Sequence, residues 1–154
     1  MPPLTFKTIA DFAETMQGNP LPESPWLRVT QEMIDAFATA TGDQQWIHVD
    51  PVRAAKESPL KKTIAHGFFS VTLLSKFLEE VLQIEEVNMA LNYGLNSVRF
   101  PSPVPVGSLL RLESTVTDLS AYRGGIKVAF NCVVVIQGVR KPACVAEFLT
   151  VLLR

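Results

Sequence analysis

The chain has 154 residues, a net charge of −1 and no basic run, which argues against binding to nucleic acid or to an anionic membrane surface. Apolar residues make up 47% and charged residues 19%, a globular composition that favours an oligomer hiding further apolar surface. No apolar run reaches the ~18 residues of a transmembrane helix, and the N-terminus lacks the pattern of a signal peptide, so we expect a cytoplasmic protein.

Two helices separated by a proline-rich loop are predicted for the first part of the chain. Residues 8–16 place apolar side chains at helical spacing behind Thr8, which is a suitable N-cap residue. The stretch 18–25 contains three prolines and predicts a loop, after which Thr30 is positioned to cap the second helix.

The end of the second helix determines how Asp43 and His48 are related. On one continuous helix, side chains five positions apart would point about 140° away from each other. Gly42 is well placed to end the helix in a left-handed cap, so Asp43 and His48 are predicted to lie on a loop that can bring them together. Asp50 and Pro51 are then typical of the cap and the first residue of a short helix.

The most apolar helix of the chain is predicted from about His66 to Gln83. Its polar stripe consists of Thr72, Ser75, Lys76, Glu79, Glu80 and Gln83. Ser70 falls in the middle of the opposite, apolar face, where a buried hydroxyl needs a hydrogen-bond partner. The first two turns are apolar on nearly every side, so we expect them to be enclosed.

An antiparallel meander is predicted after this helix, because the apolar period changes from helical spacing to two. The alternation slips after Asn96, which predicts a bulge, and the prolines at 101, 103 and 105 predict a rigid bend. The final strand, from Ala143 to Leu153, is apolar on both faces and is therefore predicted to be central.

The order of these elements predicts an α+β fold in which a curved antiparallel sheet packs around one long helix. Residues 1–154 are predicted to form a single domain, with residues 1–25 as its N-terminal helix and proline-rich lead-in. No internal repeat or low-complexity segment interrupts this order.

The cysteines and histidines do not suggest a disulfide framework or a metal site. A hairpin loop over Gly138–Lys141 would place Cys132 opposite Glu147 and Cys144 opposite Val135, so we expect two separate buried thiols. The two histidines and two cysteines are scattered along the chain without the ligand spacing of a zinc site, and no metal is expected.

Three motifs suggest a family. Residues 40–43 (Ala-Thr-Gly-Asp), 48–50 (His-Val-Asp) and 64–68 (Ile-Ala-His-Gly-Phe) resemble the MaoC-like dehydratases, which are (R)-specific enoyl-CoA hydratases with the hot-dog fold. The later run 92–107 is similar to the nodulation protein N-like branch of that family. The resemblance extends from Trp26 to the C-terminus.

This resemblance implies reversible addition of water to trans-2-enoyl thioesters, with Asp43 and His48 as an acid–base pair that holds one water. A backbone N–H at the start of the long helix would bind the thioester oxygen, and Gly67 is the natural candidate because it lacks a side chain. As a hypothesis, Ser70 one turn later points at the same site and orients the water or the pair. The residues do not assign the acid and the base at each step.

The same resemblance implies a substrate carried on coenzyme A or on acyl carrier protein, no cofactor, and a homodimer joined sheet edge to sheet edge, or a dimer of dimers. Acyl chain length and pathway stay open. A tunnel beside the long helix would decide chain length, and we expect Phe68, Phe69 and Trp46 to line it. Trp46 stands where the family often has proline, in Gln-Trp-Ile-His instead of Asn-Pro-Ile-His.

Four of these residues also have a purely structural explanation. His48, taken in isolation, is also explained as a satisfied loop histidine. Asp43 is also explained as the brace of a turn after Gly42. His66 is more simply explained as a structural histidine whose ring bonds a nearby backbone group, and the Ser70 hydroxyl can return to the carbonyl of His66.

Two other functions compete with the hydratase. The first is a hot-dog acyl-CoA thioesterase, but Glu79 and Glu80 lie late in the long helix and on its polar stripe, which argues against it. The second is a non-catalytic subunit that binds acyl thioesters, which would not need the pair of Asp43 and His48. Fold alone does not separate these functions.

Overall fold

Short strands and capped helices form the first part of the protein, in a computed structural model that describes residues 2–154. These elements are β1 (Leu4–Phe6), α1 (Ile9–Met16), β2 (Leu27–Arg28) and α2 (Gln31–Thr41). The side-chain oxygens of Thr8 and Thr30 accept hydrogen bonds from the backbone N–H groups of Asp11 and Met33, respectively. Both predicted N-caps are confirmed.

Three further helices follow, namely α3 (Trp46–Val49), α4 (Pro51–Glu57) and α5 (Gly67–Val81). Asp50 caps α4 by accepting a hydrogen bond from the N–H of Arg53, as its position before Pro51 predicts. Helix α5 ends at Val81, earlier than predicted, because Leu82 begins strand β3 (Leu82–Ile84). Strand β3 pairs in parallel with β1, and the sequence predicts neither strand, since three residues are too few to show a period.

The main sheet contains β2 and four long strands, β4 (Met89–Arg99), β5 (Leu109–Tyr122), β6 (Gly125–Ile136) and β7 (Cys144–Leu153). Its order is β2-β5-β6-β7-β4, and every neighbouring pair is antiparallel. Strand β7 lies between β6 and β4, so its predicted interior position is confirmed. The register of β4 shifts between Leu95 and Ser97, where the sequence predicts a bulge, and also between Asn92 and Gly94.

The sheet curves around α5, which supplies the centre of the core. Fully buried side chains come from the helix and from the inner face of the sheet, and they include Leu74, Phe77, Leu110, Leu112, Val116, Val128, Phe130 and Val134. This burial follows the predicted alternation of β5 and β6 and the predicted apolar face of α5. The α+β hot-dog arrangement that the resemblance implies is therefore confirmed.

The hairpin between β6 and β7 differs from the prediction by one residue. Cys132 lies opposite Ala146, and Cys144 lies opposite Val134. The turn begins one residue earlier than expected, because the N–H of Val139 donates to the Ile136 carbonyl and Gly138 takes a φ of +76°. Both cysteines are buried and unbridged, and burial raises the pKa of the Cys132 thiol to about 12.

Helices long and apolar enough to cross a membrane are absent from residues 2–154.

The left-handed cap predicted at Gly42 is confirmed, with a φ of +80° and its N–H donated to the carbonyl of Ala38 at 2.9 Å. We predict that Gly42→Ala lowers the free energy of unfolding by about 1–2 kcal/mol, because an L side chain is strained in this region. The space that the new Cβ would enter is empty, so the loss reports backbone strain alone.

Urea unfolding of both the wild type and the variant measures this loss. Gly94→Ala is the matched control, since a Cβ there also meets no atom within 4 Å and the backbone is not left-handed. We expect the control to change stability by no more than about 0.5 kcal/mol. Equal losses in the two variants would contradict the prediction.

Candidate active site

The left-handed cap of α2 turns the chain so that Asp43 and His48 approach each other. The predicted loop between them contains a one-turn helix, α3, which carries His48. A carboxylate oxygen of Asp43 and ring nitrogens of His48 and His66 lie within 4.8 Å of one another. The structure therefore brings together the predicted acid–base pair and one residue, His66, that the sequence explains most simply as structural.

The ring of His48 is held in one tautomer. Its Nδ1 lies 2.6 Å from the carbonyl oxygen of Ile64, which can only accept a hydrogen bond. Nδ1 therefore carries the proton in the neutral ring, and Nε2 is left with a lone pair that can accept a proton.

The carbonyl of Ile64 is itself fixed by backbone bonds on both sides. The N–H of Ile64 donates to Ile47 at 3.0 Å, and the N–H of Ala65 donates to Val104 at 2.8 Å. The proline-rich bend, which includes Val104, thus anchors the partner of His48. The sequence predicts the rigidity of this bend but not what it supports.

Gln31, at the start of α2, is a supporting residue that the sequence reasoning did not identify. Its side-chain Nε2 donates to the backbone carbonyl of His48 at 2.7 Å, and its Oε1 accepts from the Thr63 hydroxyl at 2.5 Å. These bonds tie α2 to α3 and to the segment before α5. No local pattern signals them, because the three residues are far apart in the chain.

His66 joins the two halves of the site. Its Nε2 lies 2.9 Å from the backbone carbonyl oxygen of Asp43, to which it donates, and its side chain is only 4% exposed. Its ring stacks on that of His48, with 3.7 Å between the centroids and 22° between the planes. The structural interpretation of His66 agrees with its backbone bond, but the residue also sets the position of both Asp43 and His48.

The Asp43 carboxylate keeps free capacity for a ligand. Its Oδ1 accepts from the N–H of Gln45 at 3.4 Å, a weak version of the turn brace that the sequence allows. Its Oδ2 lies 4.0 Å from Nε2 of His66, and the side chain is 54% exposed. The carboxylate can therefore bind a water molecule or substrate from the solvent side.

The stacked rings do not suit a shared metal ion. A metal binds an imidazole nitrogen close to the ring plane, at about 2.0–2.1 Å for zinc. Two rings whose centroids lie 3.7 Å apart and whose planes are inclined by only 22° do not direct lone pairs to one point at that distance. Proximity alone groups Asp43, His48 and His66, and the ring geometry opposes a common ligand set.

Burial in this cluster lowers the pKa of His48 below its ordinary value of 6.5. The contact with the Ile64 carbonyl raises the pKa of His48, the nearby ring of His66 lowers it, and the Asp43 carboxylate raises it. Since burial is the largest effect, His48 is neutral at neutral pH, with Nε2 available as a base.

Gly67 begins α5 directly after His66. As the first helical residue it has no intrahelical acceptor for its N–H, and the helix dipole is positive at this end. A Cβ at Gly67 would stand 2.8 Å from the ring of Phe100, so only glycine allows this ring to pack here. Phe100 in turn meets the exposed ring of Phe68 edge-on, at 5.5 Å between centroids.

Ser70 is 1% exposed and its hydroxyl has no hydrogen-bond partner among the described residues. The alternative bond from this hydroxyl to the His66 carbonyl is not formed. The hydroxyl forms no hydrogen bond to Asp43, His48 or His66, and its orienting role stays a hypothesis.

A cavity of about 500 Å³ lies between the second half of α5 and strands β3, β4 and β7. It is lined by Ser75, Leu78, Glu79, Leu82, Gln83, Ile84, Val87, Ala90, Leu91, Asn92, Phe130, Phe148, Thr150 and Leu152. The predicted tunnel residues Phe68, Phe69 and Trp46 do not line it. Trp46 instead packs against Arg53, whose guanidinium carbon lies 4.4 Å from the centroid of the Trp46 ring.

Comparison of the chain with known proteins identifies a family and several relatives. The family model described as MaoC like domain matches residues 12–136. The chain is 45% identical over 144 residues to 3-hydroxyacyl-thioester dehydratase Z of Mycobacterium tuberculosis (strain H37Rv), covering 93% of this chain and 94% of the relative. It is 42% identical over 138 residues to nodulation protein N of Rhizobium leguminosarum bv. viciae, covering 88% and 85%.

A solved structure is also similar. The unliganded R-hydratase PhaJ1 of Pseudomonas aeruginosa superposes with a TM-score of 0.74 at 25% identity, covering 93% of this chain and 85% of that chain. The similarity thus extends over nearly the whole of both chains.

The electrostatics of His48 can be measured by NMR, since the chain has only two histidines. The imidazole signal that disappears in the His48→Ala variant belongs to His48. We predict that in the wild type this signal titrates below pH 6.5 in the folded protein and near 6.5 in urea. In the Asp43→Asn variant the midpoint of this signal falls further, because a carboxylate that favours the charged ring is lost.

The same shift links pH to stability. The imidazole of His48 binds a proton more tightly in the unfolded chain than in the folded one. The free energy of unfolding therefore declines as the pH falls below 6.5, and the decline levels off below the pKa of His48 in the folded protein. A folded midpoint at or above 6.5 would contradict the prediction.

Proposed function

The chain belongs to the MaoC-like domain family, and we propose that it is a 3-hydroxyacyl-thioester dehydratase that also acts in reverse as an (R)-specific enoyl-CoA hydratase. It is accordingly a hydro-lyase. We further propose that residues 1–154 form one such domain. The cytoplasmic location stays a prediction.

The observation that carries this proposal is the cluster of Asp43, His48 and His66 in a chain so similar to a named dehydratase. Hydration needs a base for the water, an acid for the substrate carbon and donors for the thioester oxygen. A neutral histidine with a free Nε2 beside a half-exposed carboxylate meets the first two needs.

We propose that Asp43 and His48 hold one water between the carboxylate and Nε2. As the pair removes a proton from this water, its oxygen bonds to C3 of the enoyl thioester and the C2–C3 double bond opens. The electron pair moves onto the thioester oxygen as an enolate. Return of one proton from the pair to C2 completes the 3-hydroxyacyl thioester, and dehydration follows the reverse path.

Gly67 is the proposed donor to the enolate oxygen. Its N–H lies at the positive end of α5, where a developing negative charge is stabilised. Ser70 is proposed to orient the water or the pair from the next turn. Its unpartnered hydroxyl in a buried position supports this assignment.

No cofactor is needed for this reaction, since water and the thioester are the only reactants. Coenzyme A, or acyl carrier protein, enters as the carrier of the substrate.

A homodimer joined through the edge of the sheet is proposed as the assembled form. Strand β4 is the last strand of the sheet and exposes a row of large apolar side chains, Met89, Leu91, Tyr93 and Leu95. An unpaired, apolar edge strand favours pairing with a second chain, which would cover this surface.

The reaction is tested with crotonyl-CoA and a longer trans-2-enoyl-CoA by following the loss of the conjugated thioester absorbance. We predict that Asp43→Asn and His48→Ala each lower kcat/KM by roughly 10²–10⁴-fold, as expected for a group in acid–base catalysis. Asp118→Asn, at an exposed aspartate on β5, is the matched control and keeps full activity.

A thiol reagent in parallel separates hydration from hydrolysis. Free thiol released by the wild type would assign the protein to the thioesterases instead. Tight thioester binding without turnover would indicate a binding subunit.

The assembly is tested by light scattering coupled to gel filtration. We predict a dimer or a dimer of dimers for the wild type at micromolar concentration, and dissociation toward monomer in Leu95→Lys, because a buried unpaired charge opposes association. Val139→Lys places the same charge on an exposed apolar site in the β6–β7 hairpin and should leave the mass unchanged. A monomeric wild type would refute the proposed dimer.

A further inference from the structure

The cavity beside α5 contains a buried hydroxyl without a partner. Thr150, on β7, is 7% exposed and lines the cavity, yet its Oγ1 forms no hydrogen bond to the described residues. Its neighbours on the same face of the strand, Phe148 and Leu152, are apolar and also line the cavity. A hydroxyl buried in apolar surroundings is unfavourable unless a ligand or water bonds it.

Two more polar side chains face the same space. Asn92 on β4 lies directly opposite Thr150 in the β4–β7 ladder, and its Oδ1 accepts a hydrogen bond from the Ser75 hydroxyl at 2.8 Å. This bond uses the Ser75 O–H and the Asn92 Oδ1. It does not use the amide N–H groups of Asn92 or the lone pairs of Ser75 Oγ. Donors and acceptors thus come from three elements, α5, β4 and β7.

Helix α5 connects this polar group to the candidate active site. Gly67, Val71 and Ser75 follow one another at intervals of four residues, which places them on one face of the helix. The distance along the helix axis from Gly67 to Ser75 is about 12 Å, from eight residues at the usual rise. Strand β4 and its extension accompany the helix, since Phe100 packs on Gly67 and Asn92 bonds to Ser75.

We propose that this cavity binds an acyl chain that carries an oxygen substituent, a hydroxyl or keto group, and that Thr150, Asn92 and Ser75 recognise that oxygen. The inference rests on the proposed function, because the thioester end must lie at Gly67 for the chain to run along α5. A plain hydrocarbon tail in the same place would cover the Thr150 hydroxyl and leave it unpaired. The site therefore discriminates in favour of the oxygenated chain.

The test compares trans-2-decenoyl-CoA with its three hydroxylated derivatives, positional isomers of one another, that carry one hydroxyl at the terminal carbon or at either of the two carbons before it. We expect kcat/KM of the wild type for at least one isomer to exceed that for the plain chain by about tenfold, the worth of one good hydrogen bond in a buried site. The variant Thr150→Val keeps the volume but lacks the hydroxyl, so it should lose this preference and turn over the plain chain faster.

Thr117→Val is the matched control, because the Thr117 hydroxyl already donates to the Ala129 carbonyl and lies outside the cavity lining. It should keep the wild-type preference. The inference is overturned if the wild type shows no preference for any isomer, or if Thr150→Val keeps the preference unchanged. In the latter case the oxygen substituent is recognised without the hydroxyl of Thr150.

Crotonyl-CoA separates this result from a failure of the proposed function. Its chain is too short to reach Ser75, so its hydration by wild type and Thr150→Val alike reports the reaction alone. Hydration of crotonyl-CoA without any preference among the longer substrates refutes the polar subsite only. Absence of hydration with every substrate refutes the proposed function itself.

Discussion

The stacking of His66 on His48 is the contact on which the geometry of the site depends. The same His66 ring that lies against His48 also donates a hydrogen bond to the backbone of Asp43. One buried side chain therefore sets the distance between a carboxylate and a base that belong to different elements. Burial lowers the pKa of His48, and the neighbouring ring of His66 lowers it further, so the contact also favours the neutral state of His48 that a base requires.

Helix α2 and the proline-rich bend hold the two stacked rings in place, and neither element contributes a catalytic group. Helix α2 ends directly before Asp43 because Gly42 adopts a left-handed conformation. At the other end of the helix, the side chain of Gln31 donates a hydrogen bond to the carbonyl of His48. The proline-rich bend fixes the segment that accepts the hydrogen bond from Nδ1 of His48. The site is thus built at the junction of several rigid pieces, which keeps its groups aligned before a substrate arrives.

Asp43 and His48 could be proposed from the sequence because a glycine, an acid and a histidine at short spacing make a local pattern. Gln31 could not, because its contacts with His48 and Thr63 join residues that are separated by long stretches of chain. Contrary to the expectation from the sequence, the cavity beside α5 is not lined by Phe68, Phe69 or Trp46, for a related reason. Hydrophobic periodicity predicts which face of a helix is apolar. The size and position of a cavity beside that face depend on which strands pack against the helix.

Local stretches of the chain were enough to specify the types of element, the caps at Thr8, Thr30 and Asp50, the α+β arrangement and the motif around Asp43, because these follow from conformational preference and from hydrophobic period. Folding of the whole chain was needed to set the parallel pairing of β1 with β3, the stacking of the two histidines and the polar group around Thr150. Each of these is a contact between residues distant in the chain. Such contacts are selected by the packing of the whole core, and no short stretch of residues carries enough information to specify them.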